Sequence, residues 1–194
     1  METRRLRLMA AGALMLGVLI AGCGSGTEGP KDNPAGSSQS VDQGATDNST
    51  SAQDTPKFCD LLTAEQIGTA IGGTVTLNTG PFDACEFKQD DPRALSGSLG
   101  SSSLQENGGY EAYQAGSRAA MDDPTRTDLP GLGDAAYVDI GTVAGGSNLQ
   151  VAGGVKVGDI IHTINLAQGN GMSAAQLTEI SKKLLQLMLD AVNK

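Results

Sequence analysis

Leu149-Gln-Val-Ala-Gly-Gly-Val-Lys-Val-Gly-Asp-Ile-Ile-His-Thr-Ile-Asn-Leu166 decides the fold. Leu149, Val151, Val155 and Val157 occupy alternate positions, with Gly153 between them, so one face of an extended chain is apolar. Ile160, His162, Ile164 and Leu166 repeat the pattern on the far side of Gly158-Asp159. A two-residue turn with glycine first suits a tight hairpin. That turn sets Val157 beside Ile160 and keeps both apolar sets on one face. A turn at Gly153-Gly154 would instead set Val151 opposite Lys156.

Such a hairpin needs a cover, and the C-terminal segment supplies one. Ser173-x-x-Gln176 is a capping box. Leu177, Ile180, Leu184, Leu187, Met188 and Ala191 then recur at helical spacing, which predicts an amphipathic helix from Ala174 to near Val192 lying across the sheet. Upstream, Ala135 to Ile140 reads as a strand, approached through the turn-rich Leu129-Pro130-Gly131-Leu132-Gly133-Asp134. Tyr110 to Met121 reads as a helix stopped by Asp122-Asp123-Pro124. Ser98 to Leu104, Cys85 to Phe87 and Thr74 to Asn78 read as three further strands. Thr63-x-x-Gln66 caps a short helix, with Leu62 and Ile67 placed as a staple and Gly72-Gly73 as its end. The expected architecture is α+β: an antiparallel sheet of five to six strands covered by helices, in the order α-βββ-α-βββ-α.

Residues 57–194 form this domain. Residues 24–56 differ in kind: Gly, Ser, Thr, Asp, Asn, Gln, Pro and Ala dominate, and Val41 is the one larger aliphatic. Such a segment cannot bury enough apolar surface to offset the entropy of ordering, so a disordered tether is expected. Its mean reach as a flexible coil is about 30 Å.

In front of the tether, Arg4, Arg5 and Arg7 precede an apolar run from Leu8 to Ile20. A bilayer-spanning helix needs about 20 apolar residues. The shorter run, ending in small residues, has the pattern of a signal peptide over residues 1–22. Ile20-Ala21-Gly22-Cys23 resembles the lipobox of bacterial lipoproteins. The resemblance implies cleavage before Cys23, a diacylglyceryl thioether on its sulfur, and attachment to the extracytoplasmic face of the cell membrane.

With Cys23 acylated, Cys59 and Cys85 are the cysteines that remain. In an exported chain two such residues are expected to pair. A pair of catalytic or metal-binding thiols is the rival reading, although zinc-ligand spacing and Cys-x-x-Cys are both absent.

The formal charge is −9, and residues 1–22 carry three arginines and one glutamate, a net of +2, so the remainder carries −11. That balance argues against a nucleic-acid partner. Gly131-x-Gly133-x-x-Ala136 superficially matches a dinucleotide fingerprint but lies between a proline and a strand, where the motif requires a strand and then a helix. His162, the one histidine, sits among apolar neighbours, which favours a structural role. Asp90/Asp91 and Asp122/Asp123 lack calcium-loop spacing and read as solvated loop charge.

Cys59-Asp60-Leu61-Leu62-Thr63-Ala64-Glu65, Cys85, Leu132-Gly133-Asp134-Ala135-Ala136-Tyr137 and the Gly158-Asp159 hairpin together resemble small actinobacterial envelope lipoproteins, a family whose domain has no assigned function. The family pattern has an aromatic residue directly after the second cysteine, where this chain has Glu86-Phe87. The resemblance implies an anchored extracytoplasmic domain and carries over no catalytic residue, cofactor or metal. The expectation is therefore a non-enzymatic binding or interaction module for an envelope protein, lipid or small molecule. A lipid carrier with an apolar cavity and a hydrolase using paired carboxylates are the alternatives.

Overall fold

The structure is a computed structural model that describes residues 55–168 and 171–194. Cys23, the leader and the tether up to residue 54 lie outside the described residues. Twelve elements follow one another: α1 (Phe58–Leu61), α2 (Ala64–Ile71), β1 (Thr76–Thr79), a 3-10 turn (Pro81–Asp83), β2 (Cys85–Lys88), β3 (Ser96–Ser103), α3 (Tyr110–Ala119), β4 (Asp122–Asp128), β5 (Ala135–Thr142), β6 (Gln150–Val157), β7 (Ile160–Ala167) and α4 (Ala174–Val192).

The strands form one antiparallel sheet in the order β1-β2-β3-β7-β6-β5-β4. The architecture is thus α+β with an antiparallel sheet, and it has seven strands where five to six were expected. The additional one is β4, in a segment that reads as a helix stop. Pro124 lacks an N–H and suits an edge, and β4 is an edge strand with a register shift between Asp122 and Thr125. The element order is corrected accordingly: two helices precede β1, and four strands separate α3 from α4.

The local signals hold. Val157 faces Ile160 across the Gly158-Asp159 turn, with Gly158 at φ +58°. Both capping boxes are complete: Thr63 Oγ1 accepts from Gln66 N and Ser173 Oγ from Gln176 N, and both glutamine side chains return the bond. Gly72 closes α2 in the left-handed conformation.

Alternation assigns the strand residues to two faces. Leu99, Val138, Ile140, Val151, Val155, Ile164 and Leu166 lie in one core with Phe58, Ile67, Leu177, Leu184, Leu185 and Met188 from α1, α2 and α4. Burying each such side chain contributes about 1.5–3 kcal/mol. The opposite face holds a smaller cluster: Tyr137, Ile161 and Leu104, packed by Tyr110 and Tyr113 of α3. Gly153 and Gly154 let both layers close in. A Cβ on Gly153 would lie 2.8 Å from Val138 Cγ1, and one on Gly154 2.7 Å from Ile161 Cδ1.

Candidate functional site

The Leu104/Tyr137/Ile161 face is covered at one side by α3. Tyr110 meets Tyr137 edge-on, with centroids 6.1 Å apart. The Ser117 and Tyr137 hydroxyls are 3.1 Å apart. Arg126 of β4 lies beneath the helix. Its Nε donates to Asp139 Oδ1 at 3.0 Å and its Nη2 to Asp139 Oδ2 at 2.6 Å. Its Nη1 donates to Gln114 Oε1 at 3.1 Å, and its guanidinium carbon is 4.6 Å from the Tyr137 ring centroid. Asp139 is fully buried. The hydrogen bonds from Arg126 to Asp139 hold the guanidinium pKa above its ordinary value. Burial pushes the Tyr137 hydroxyl up to about 12. Arginine stays charged and tyrosine neutral at pH 7, so the cluster is a clamp that holds α3 on the sheet.

Beyond the end of α3 the same face is open. A groove of about 650 Å³ runs there, floored by Ala152, Ala167 and Gly97 and bounded on the helix side by Met121. Ser96 and Ser98 of β3, Asn165 of β7 and Gln150 of β6 supply hydroxyls and amides. Glu86 and Lys88 of β2 set opposite charges at one rim. Alternation puts these polar groups on one face because the partner residues, Phe87, Leu99 and Leu166, are in the core. The groove offers hydrogen-bond donors and acceptors to a polar ligand, and neutral groups dominate it. A second groove, about 540 Å³, lies between α2 and α4. Ala70 and Leu187 are apolar in it, and the stems of Lys182 and Lys183 pass along it.

Cys59 and Cys85 are joined by a disulfide. The other residues singled out in the sequence lie away from the polar groove. His162 is on the opposite face, 2% exposed, with Nδ1 2.8 Å from Ser101 Oγ and its ring edge-on to Phe58 at 5.5 Å. Asp91 accepts from Arg93 N at 2.9 Å and Asp122 from Gly145 N at 2.8 Å, so each organises a loop. Gly131 and Gly133, both at positive φ, belong to the β4–β5 turn. No group of three metal-ligating side chains comes together among the described residues. None of their helices is long and apolar enough to cross a membrane.

The chain matches no protein-family model, no curated protein and no solved structure. The functional reading therefore rests on the geometry together with the sequence signals described above.

The Arg126–Asp139 clamp went unread in the sequence, although Asp139 gave a signal. An acid inside an otherwise apolar strand needs a cationic partner. His162 yields a prediction. Burial lowers its pKa from 6.5 to about 4. Below pH 6.5 the unfolded chain takes up a proton that the folded one refuses until about pH 4. Stability is therefore full above pH 6.5 and falls as pH drops towards 4, by up to about 3 kcal/mol. His162→Gln, which retains a hydrogen-bonding partner for Ser101, is expected to flatten the difference between urea midpoints at pH 7 and pH 4.5. An unchanged slope would contradict this account.

Proposed function

We propose that the domain is a non-enzymatic binding module. It is held at the extracytoplasmic face of the cell membrane by a lipid on Cys23, with residues 24–56 as its tether, and it takes a polar envelope ligand in the open groove. The supporting observation is the asymmetry of the sheet: one face is buried under three helices, and the other is left open beside α3 and lined with serine, asparagine and glutamine. Those side chains can bind through many hydrogen bonds. His162, the base that a Ser-His-Asp triad would have to use, is buried on the other face and not in the groove.

A lipid-carrier reading would use the α2–α4 groove. The space between α4 and the sheet is occupied by Leu177, Leu184, Leu185 and Met188, all fully buried.

Native mass spectrometry of the chain purified from its own envelope tests the main reading. The expected spectrum shows a polar ligand retained by the wild type and lost from Asn165→Trp, whose ring would fill the groove. A retained acyl lipid lost only from Leu187→Asp would favour the carrier. Release of Cys23→Ser into the medium is expected from the anchor; retention in the membrane fraction would exclude it.

A further inference from the structure

The turn between β1 and β2 carries an aromatic side chain that the core does not use. Phe82 and the next residue, Asp83, adopt φ of +56° and +57°. A bulky side chain seldom takes this conformation, and glycine holds it without the Cβ penalty. The Phe82 ring is fully exposed, at 102%. The position thus combines backbone strain with no packing in return, the pairing that points from an outlier to a function.

Leu61 is the other large apolar residue exposed among the described residues, at 43%. Its helix, α1, is tied to the same corner by the Cys59–Cys85 disulfide and by Lys57 Nζ, 3.2 Å from Asp83 Oδ2. Lys57 is also where the chain arriving from Cys23 enters the fold, as the residue capping α1. The corner that receives the anchored segment is therefore the corner that presents Phe82 and Leu61.

We propose that this corner inserts Phe82, with Leu61 beside it, into the interfacial layer of a phospholipid bilayer. The proposal rests on the anchor at Cys23. One aromatic ring binds a membrane weakly, but a chain already attached meets the bilayer at high effective concentration, so a weak contact is enough to orient it. Aromatic rings favour the interface between headgroups and acyl chains. With Lys57 and Asp83 paired to each other, Asp60 and Glu86 in the same stretch disfavour anionic headgroups, so the surface it fits is zwitterionic.

The test couples the thiol of the chain processed at Cys23 to a maleimide phospholipid in phosphatidylcholine vesicles. Chemical coupling makes the result independent of whether Cys23 is acylated in cells, which the Cys23→Ser release experiment tests separately. The chain contains no tryptophan, so Phe82→Trp places a single reporter at the corner. Its emission is expected to shift to the blue on coupling and to be at least halved by brominated lipid. Ser147→Trp, in the β5–β6 loop at the opposite end of the sheet, is expected to show neither effect. A Phe82→Trp spectrum unchanged by coupling, or equal quenching at both positions, would overturn the proposal. Phe82→Gly is expected to raise Tm by relieving the turn, and to remove the quenching of a Leu61→Trp reporter. A lowered Tm would show that the ring supports the fold, and would overturn the proposal as well.

Discussion

Arg126→Ala is expected to lower the unfolding free energy by about 3–5 kcal/mol, because it strands a carboxylate in the interior. Asp139 is fully buried, and its two oxygens take hydrogen bonds from Nε and Nη2 of Arg126. No solvent reaches the acid to replace them. A loss of this size is a large share of the roughly 5–15 kcal/mol that holds a domain together. Urea unfolding followed by circular dichroism measures it. Pairing Arg126→Met with Asp139→Leu is expected to recover most of the loss, since no unpaired charge then remains. Amides of α3 are expected to exchange faster in Arg126→Ala than in wild type, because Gln114 loses its bond to the guanidinium. A single substitution costing under about 1 kcal/mol would mean that Asp139 finds water or another donor.

Replacing Cys59 and Cys85 together by alanine is expected to cost about 3–4 kcal/mol. The bond spans a sequence separation of 26, and opening it returns that loop's freedom to the unfolded chain. The consequence should be concentrated at α1, which the bond ties to β2. Phe58, fully buried against His162, would be the first core residue to loosen. Thermal unfolding with and without a phosphine reductant gives the same comparison in the wild-type chain. Equal midpoints in the two conditions would show that α1 is held by packing and that the cross-link adds little.

The parts of the fold legible in the sequence are those written within a few residues. The β6–β7 hairpin follows from two alternating runs around Gly158-Asp159. The starts of α2 and α4 follow from their capping boxes, and the end of α2 from Gly72-Gly73. β4 was illegible because an edge strand needs no apolar alternation, and Asp122-Asp123-Pro124 resembles a helix stop. Its place is set by pairing with β5, a tertiary fact. With β4 unread, Arg126 could not be matched to Asp139. The polar groove was equally out of reach, since it joins β2, β3, β6 and β7. The serine- and glycine-rich composition of Ser96–Ser103, unlike that of the apolar strands β5 to β7, was the visible trace of an uncovered face. The Cys59–Cys85 pair was expected by elimination, with Cys23 read as acylated and residues 1–22 read as a signal peptide, and the two sulfurs are joined.

The strand order has a bearing on biogenesis. β1-β2-β3 and β4-β5-β6-β7 are each a run of sequence neighbours, and they meet only where β3 lies against β7, with Leu99 opposite Ile164. If the chain is exported front end first, as the proposed anchor at Cys23 requires, the first run is delivered early. β3 would then wait with an unpaired flank until the last strand had crossed. Through that interval its Ser-Gly-Ser-Leu-Gly-Ser-Ser-Ser composition gives a stray strand little apolar surface to grip, which guards against premature association.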